Sequence, residues 1–174
     1  MKTIVSNKIY TFDNFLTTIE CDDFIKQIDT KSNTTNFTNN GQFKNDKYID
    51  IKLSQHFYDK IKSYNSKLEL LRPNKLIMTA KYQPDQQFNI HTDTGLFYDK
   101  INQEKSMYTL LIYLNDNYDE GETVFYDNQF TETVKIIPKK GMGLLFHIDE
   151  FHRGNVVKNG KKYWIGCEII SKFY

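Results

Sequence analysis

Cysteine is scarce in this chain of 174 residues, which contains only Cys21 and Cys167. The two lie far apart and lack the close spacing of a cysteine-based zinc site. Such a low count excludes the disulfide-dense scaffold of a small secreted protein. We predict two free thiols and a reducing compartment, with a single disulfide between the two cysteines as the alternative.

Strong charge of one sign and long apolar runs are also missing. The formal net charge is +1 and no basic stripe stands out, so composition gives little support for electrostatic binding to nucleic acid. No apolar run approaches the length of a membrane span, and Asn7 and Lys8 interrupt any N-terminal signal region. Aromatic residues make up 15% of the chain, which favours a packed core over disorder. We expect a single cytoplasmic domain over residues 1–174.

The first third of the chain has helical periodicity. Thr17-x-x-Glu20 is a capping box, and apolar residues follow it at helical spacing, which predicts a helix over 18–29. A second amphipathic pattern predicts a helix over 50–66. The segment 31–47 is polar and rich in turn-forming residues, so we expect it to be a loop.

The texture of the sequence changes after Leu76. Short β-branched and aromatic runs alternate with Gly, Pro, Asn and Asp, which is typical of strands and turns. The pattern predicts short strands without intervening helices, over residues 76–82, 88–92, 107–114, 122–126, 132–137, 143–147, 152–157 and 162–170. This favours a mainly β fold, a double-stranded β-helix or jelly roll. Residues 76–174 would form this barrel, and residues 1–75 would be a helical support region that buttresses one outer face with two or more helices.

Two histidines and one aspartate in the second half have the spacing of a metal site. His91-x-Asp93 places residues i and i+2 of an extended strand on the same side, so both can reach one ion. His152 then supplies a second imidazole. Two imidazoles and one carboxylate form the facial set that binds non-haem Fe(II) and leaves further positions open. His147 is the rival ligand, but Val157, ten positions after it, cannot hold a carboxylate.

A lysine is placed to hold an organic acid beside that ion. Lys162 lies ten residues beyond His152, and its ammonium can pair with the far carboxylate of such a molecule. The neighbouring Lys161 is the rival cation. Strand alternation sends the two side chains to opposite faces, so we expect only one of them to face the metal.

Several sequence blocks of the second half occur together in one order. They are Lys81-Tyr82-Gln83-Pro84, the run 108–116, Gly121-Glu122-Thr123-Val124-Phe125, Pro138-Lys139-Lys140-Gly141, and His152-x-Gly154 with Gly160 and Lys162-Tyr163. Together they cover roughly residues 76–173. In these blocks the chain resembles the 2-oxoglutarate/Fe(II)-dependent oxygenases, in particular their prolyl 4-hydroxylase-like branch. The N-terminal third resembles this branch in outline only.

The resemblance implies a dioxygenase that hydroxylates a substrate C–H bond and releases succinate and CO₂. It implies that His91, Asp93 and His152 hold Fe(II), that 2-oxoglutarate and O₂ are co-substrates, and that ascorbate serves as a reductant. The protein would supply orientation and a dry cavity.

The same resemblance gives roles to three residues around the co-substrate. Lys162 matches the lysine that pairs with the C5 carboxylate of 2-oxoglutarate in prolyl 4-hydroxylases. Tyr113 and Tyr82 match tyrosines that hydrogen-bond the co-substrate in relatives, and the alternative for each is an ordinary core aromatic. A buried phenol needs a polar partner in either case.

The strand after Lys162 carries Trp164, Gly166 and Glu168 on its inward face. Collagen-type and plant-type relatives tend to have a tryptophan six residues after the lysine, where this chain has Glu168. This departure puts a peptidyl-proline substrate in doubt. Glu168 either contacts substrate or supports the metal site by pairing with Arg153 or a histidine.

A polar segment, residues 94–106, follows the His91-x-Asp93 strand and is a candidate lid. Tyr98 in this segment either faces a substrate or packs against the barrel. The leading hypothesis is a prolyl 4-hydroxylase-like enzyme that acts on a protein or peptide. A nucleic-acid demethylase of the same fold is disfavoured, because Lys162 is not an arginine and no basic groove is visible. A non-catalytic metal-binding jelly roll is opposed by the intact ligands and lysine.

Overall fold

The computed structural model describes residues 2–31, 36–38, 41–64, 72–93 and 95–173. Two helices lie in the first half, α1 (Thr18–Lys31) and α2 (Ile51–Tyr64), and both confirm the predicted helices to within a few residues. The capping box begins α1, because Thr17 N donates to Glu20 Oε2 (2.7 Å) and Glu20 N donates to Thr17 Oγ1 (3.2 Å). None of the described helices is long and apolar enough to cross a membrane.

Most of the remaining described residues are strands. In chain order they are β1 (Lys2–Ser6), β2 (Ile9–Phe12), β3 (Asn36–Thr38), β4 (Gly41–Ile49), β5 (Arg72–Tyr82), β6 (Phe88–His91), β7 (Tyr98–Asp99), β8 (Glu104–Tyr113), β9 (Asp119–Glu120), β10 (Thr123–Tyr126), β11 (Glu132–Ile136), β12 (Gly143–His147), β13 (Phe151–Gly154), β14 (Val157–Lys158) and β15 (Lys162–Lys172). Every strand predicted after residue 76 is present.

The prediction of a loop over 31–47 is wrong where β3 and β4 lie, and residues 32–35 and 39–40 fall outside the described residues. β4 pairs antiparallel with β5 from Lys44↔Lys81 to Ile49↔Leu76. A polar strand can pair in this way because the ladder is made by main-chain groups, whatever the side chains are. The region 1–75 is therefore not helical alone, since it also contributes strands to the barrel.

The strands form the two layers of a jelly roll. Hydrogen-bonded neighbours in the larger layer run β1-β2-β12-β8-β15-β5-β4, and those in the smaller layer run β6-β13-β10-β11. β4 joins the layers, because its first residue, Gly41, pairs with Phe88 of β6. The predicted double-stranded β-helix is thus confirmed. All pairings within both layers are antiparallel.

The helices cover the outer face of the larger layer. Phe57 and Ile61 of α2 are fully buried, in one cluster with Ile165 and Cys167 of β15. Residues of β15 alternate between this cluster and the interior of the barrel, as the period of a strand requires. Both cysteines are buried and free, which confirms the predicted thiols.

One glycine on β15 permits a close approach of strands beside the site. A Cβ at Gly166 would lie 1.9 Å from the carbonyl oxygen of Leu110 on β8, far inside van der Waals contact. Because glycine has no side chain, β15 and β8 can pair here with Gly166 opposite Leu111. The interior residues on both sides of Gly166 are thereby held at a fixed distance from β8.

Candidate active site

The two histidines of the predicted metal site face each other across neighbouring strands. His152 on β13 is the pairing partner of His91 at the end of β6, and Asp93 follows two residues later. The Nε2 atoms of His91 and His152 lie 3.4 and 3.7 Å from Asp93 Oδ1. These ligand atoms lie within 4.8 Å of one another, and they form the single group of this kind among the described residues.

Backbone carbonyls fix the orientation of both imidazoles. His91 Nδ1 lies 2.7 Å from Asn89 O, and His152 Nδ1 lies 2.9 Å from Glu150 O. A carbonyl oxygen only accepts hydrogen bonds, so Nδ1 is the protonated nitrogen of each ring, and in the neutral form of the ring Nε2 keeps its lone pair. Both lone pairs therefore point into the space beside Asp93. This support of ligand histidines is common in protein metal sites.

The protonation states suit a divalent metal. Burial raises the pKa of Asp93, but His91, His152 and the hydroxyl of Thr109, which donates to Asp93 Oδ2, outweigh burial and leave this pKa below its ordinary value. Burial lowers the pKa of His152 by more than Asp93 raises it. Near neutral pH the carboxylate is ionised and the His152 imidazole is neutral, and these are the forms that bind metals.

The rival histidine lies elsewhere. His147 ends β12, its ring makes an edge contact with Tyr108 at 5.4 Å, and its Nδ1 accepts a hydrogen bond from Asp149 N. The structure therefore brings His152, and not His147, together with His91 and Asp93.

A cavity of about 330 Å³ opens between the two layers, with the His–Asp–His group in its wall. Residues of β15 that line it include Lys162, Trp164 and Glu168, while Thr109 and Thr123 contribute hydroxyl groups from β8 and β10. On the β4 side the lining contains three polar residues, Asn45, Asp46 and Lys47. The volume of the cavity suits a small organic acid together with part of a larger substrate.

Lys162 is 2% exposed, and its ammonium lies in this cavity. Lys162 Nζ donates to Gly121 O at 2.8 Å and lies 5.5 and 5.4 Å from the ring centroids of Tyr82 and Tyr113. Burial lowers the pKa of Lys162 to about 7, and the nearby Glu122 opposes this shift. An ammonium has three N–H donors, so donors remain for a carboxylate that enters the cavity. Lys161 is exposed and faces the other side.

The two predicted tyrosines differ in position. Tyr82 lines the cavity, whereas Tyr113 is fully buried behind the lining. The Tyr113 hydroxyl shares a hydrogen bond of 2.6 Å with Thr123 Oγ1, and Thr123 does reach the cavity. Burial raises the pKa of both phenols, so both are neutral donors. Tyr113 is therefore placed to orient Thr123.

The predicted substrate residues also separate. Trp164 and Glu168 line the cavity, but Tyr98 on β7 is 64% exposed and stacks on Phe173, with ring centroids 5.3 Å apart. Tyr98 is not brought to the site. Glu168 has neither of the partners that the sequence suggested: it binds Ser106, the amide of Leu96 and Asn74, while Arg153 binds Asn155.

Sequence reasoning missed Thr109 and Thr123. Both lie on strands that were predicted, and the alternation along β8 puts Thr109 on the same face as Tyr113. The hydrogen bond from Thr109 to Asp93 depends on how β8 packs against the end of β6. The sequence could therefore have predicted that Thr109 faces the barrel interior, but not that its hydroxyl bonds Asp93.

Solved structures share this fold over nearly the whole chain. A viral collagen prolyl hydroxylase from Paramecium Bursaria Chlorella virus-1 has 24% identity and a TM-score of 0.68, covering 95% of this chain and 97% of that one. A Trichoplax adhaerens prolyl hydroxylase, in complex with a hypoxia inducible factor peptide fragment, has 19% identity and a TM-score of 0.69, covering 95% and 84%. OsALKBH1 has 14% identity and a TM-score of 0.72, covering 95% and 100%.

Comparison with curated proteins finds no match. A family model described as the 2OG-Fe(II) oxygenase superfamily matches residues 77–167, more than half of the chain. The match contains all three residues of the His–Asp–His group, together with Lys162. The fold is one that prolyl hydroxylases and OsALKBH1 share, and the family model shows that the chain belongs to the 2OG-Fe(II) oxygenase superfamily.

Proposed function

We propose that this protein is a 2-oxoglutarate- and Fe(II)-dependent dioxygenase that hydroxylates a C–H bond of a protein or peptide, with a prolyl 4-hydroxylase-like reaction. One observation carries the proposal. The imidazoles of His91 and His152 and the carboxylate of Asp93 lie together in the wall of a cavity that also contains the buried ammonium of Lys162.

The donor set fits Fe(II). His91 Nε2, His152 Nε2 and the Asp93 carboxylate would hold the ion, and two nitrogens with one oxygen on one face are the ligands that such oxygenases use. When bound, Fe(II) with 2-oxoglutarate and O₂ supplies the oxidising chemistry that converts C–H to C–OH, with succinate and CO₂ as products. Ascorbate as a reductant stays a prediction from the resemblance.

The residues around Lys162 would bind and orient 2-oxoglutarate. The ammonium would pair with the C5 carboxylate in surroundings of low dielectric, where attraction between charges is stronger than in water. Tyr82 lines the same cavity, and Thr123, held by Tyr113, offers a hydroxyl. The keto end of the acid would then be directed towards the His–Asp–His group.

A protein or peptide substrate is supported by the charges on the β4 side of the cavity. The lining there contains Asn45, Asp46 and Lys47, with charges of both signs, and the chain as a whole is nearly neutral. Nucleic acid is bound through clusters of basic groups. A peptide, by contrast, can use mixed polar and apolar contacts. The neighbour from Trichoplax adhaerens was solved with a peptide fragment, which supports the same choice.

The substrate proposal is tested by turnover of proline-containing peptides with Fe(II), 2-oxoglutarate, ascorbate and O₂. We expect succinate formation together with a mass gain of one oxygen atom on the peptide, and no gain on matched peptides with alanine in place of proline. Metal chelation should abolish both signals. Oxidation of methylated oligonucleotides in place of peptides would overturn the peptide assignment and keep the reaction class.

Co-substrate affinity should depend on pH through Lys162. The pKa of this lysine is about 7, so in the free protein the ammonium is lost as pH rises above neutrality. The groups that face it do not change over this range, since the phenols of Tyr82 and Tyr113 stay neutral and Glu122, whose pKa is lowered, stays ionised. Because apparent affinity scales with the competent fraction, the Kd for 2-oxoglutarate should rise roughly 20-fold from pH 6.5 to 8.5.

Anaerobic calorimetry with saturating Mn(II) measures this Kd at each pH. Because Mn(II) is saturating at every pH, a change in metal affinity does not contribute to the measured Kd, and the pH dependence reports the protonation of Lys162. A Kd that stays constant over the range, with 2-oxoglutarate bound, would show that Lys162 remains charged in the free protein.

A further inference from the structure

Glu168 is a buried acid in the cavity wall. It is 2% exposed, and its partners are neutral donors. Leu96 N lies 3.2 Å from Oε1 and 2.9 Å from Oε2, Ser106 Oγ donates to Oε2, and Asn74 Nδ2 lies 3.4 Å from Oε2. A buried carboxylate is tolerated only when it is hydrogen-bonded. These hydrogen bonds therefore make the buried position of the Glu168 carboxylate tolerable and hold it in place.

The bonds of Glu168 reach the chain that leaves the metal site. Residues 95–97, here the Leu96 segment, come shortly after Asp93. Glu168 holds the Leu96 amide, while Phe97 exchanges two hydrogen bonds with Ser106: Phe97 N to Ser106 Oγ (3.2 Å) and Ser106 N to Phe97 O (2.9 Å). Ser106 Oγ therefore contacts both the segment and the carboxylate of Glu168.

Asp93, which precedes the Leu96 segment in the chain, is also held by hydrogen bonds. Asp93 N donates to Ile148 O at 3.0 Å, and the Asp93 carboxylate accepts from Thr109. Thr109 is the pairing partner of Glu168 on the adjacent strand. Two paired residues of neighbouring strands, Thr109 of β8 and Glu168 of β15, thus bind the metal-site carboxylate and the Leu96 amide.

The side chain of Leu96 lines the cavity together with Met78 and Trp164. It is 41% exposed and lies outside the hydrophobic core clusters of the described residues. Its position depends on the backbone that carries it, and Glu168 is the group that accepts a hydrogen bond from the Leu96 amide itself, while Ser106 bonds the next residue, Phe97. Glu168 bonds Leu96, Ser106 and Asn74, whereas Lys162 bonds Gly121 O, so these hydrogen bonds do not link the two ends of the cavity.

We propose that Glu168 is a positioning residue that fixes the Leu96 segment, so that Leu96 forms one wall of the substrate side of the cavity. Its carboxylate acts on the chain's own backbone and does not bind substrate. The proposal rests on the proposed function only for what the wall contacts. The anchoring itself is a property of the folded protein and can be measured without turnover.

Exchange of the Leu96 amide proton tests the anchoring directly. In ¹H–¹⁵N spectra of protein loaded with Zn(II), a diamagnetic substitute for Fe(II), and 2-oxoglutarate, we expect Leu96 exchange to accelerate at least about tenfold in Glu168→Ala, because the amide loses its acceptor. Glu168→Gln keeps one carbonyl acceptor and should give an intermediate rate. Ser106→Ala, which removes one donor to Glu168, should accelerate exchange less than Glu168→Ala.

Glu132→Gln is the matched control, because Glu132 lies on β11 in the smaller layer and pairs with Lys135 at the surface. It should leave Leu96 exchange unchanged. The Kd for 2-oxoglutarate should stay within about twofold in Glu168→Gln, since the Lys162 end is untouched. Unchanged Leu96 exchange in both Glu168 variants would overturn the anchoring. Failure of the wild type to bind 2-oxoglutarate would instead overturn the proposed function, while the exchange result would stand.

Discussion

Replacing His152 by alanine is expected to abolish Fe(II) retention and to lower succinate formation by more than about 1,000-fold. The two imidazoles and Asp93 act as one unit, because all three ligand atoms lie within 4.8 Å of one another. Loss of one ligand leaves two, which cannot hold the ion in a facial arrangement. His91→Ala should behave in the same way. Iron that remains after anaerobic desalting, and succinate formed afterwards, measure the two effects.

His147→Ala is the matched control for this experiment. His147 is a half-buried histidine of the same barrel, at the end of β12, and it contacts Tyr108 and Asp149 instead of the metal group. It should retain iron and most of its activity. His152 packs against Phe125 and Phe146, so thermal unfolding of each variant must show that the fold survives. Full iron content in a folded His152→Ala protein would remove His152 from the metal site.

The metal residues were predictable because their relation is mostly local. Alternation along an extended chain predicted that His91 and Asp93 face the same way, although β6 ends at His91 and Asp93 follows it. That His152 joins them follows from the pairing of β13 with β6, in which His152 lies opposite His91. This register is set by the barrel, and the sequence indicated it only through the resemblance. Alternation predicted that Lys161 and Lys162 face opposite sides, and the resemblance selected Lys162; the structure buries Lys162 and exposes Lys161.

Two features that the sequence did not reveal have a common physical origin in long-range packing. β4 was taken for a loop because its residues are polar, yet its main chain completes the larger layer against β5. Tyr113 lies on the predicted inward face but deeper than the cavity lining, since Thr123 fills the space in front of it. The alternation of a strand predicts which side a residue faces. It does not predict how deeply the side chain is buried in the barrel or which distant strand it contacts.

The hydrogen-bond partners of Glu168 also could not be predicted from the sequence. The sequence offered Arg153 or a histidine as its partner, because a buried acid usually pairs with a cation. The structure instead satisfies Glu168 with a backbone amide, a hydroxyl and a side-chain amide. Neutral donors suffice when several converge on one carboxylate. Burial nevertheless raises the pKa of Glu168 above its ordinary value, in spite of those bonds.

Replacing Lys162 by methionine should raise the Kd for 2-oxoglutarate by about 30- to 1,000-fold, the loss typical when one partner of a buried charge pair is removed. Metal binding should be spared, because Lys162 does not contact the His–Asp–His group in the structure. Methionine is close in length and apolar, so it fills the space without the cost of a buried charge. In the absence of 2-oxoglutarate the variant should therefore be at least as stable as the wild type.

Lys161→Met is the matched control, since Lys161 is the adjacent lysine of the sequence and is exposed. It should bind 2-oxoglutarate with wild-type affinity. Anaerobic calorimetry with Mn(II) gives both Kd values, and thermal unfolding without co-substrate gives the stabilities. Comparing the two variants separates two effects of the Lys162 ammonium, which opposes folding because it is buried and favours binding of the co-substrate. The exposed ammonium of Lys161 should have neither effect. Equal Kd values for the two variants would mean that the co-substrate is held elsewhere in the cavity, and weaker folding of Lys162→Met would assign the lysine a structural role.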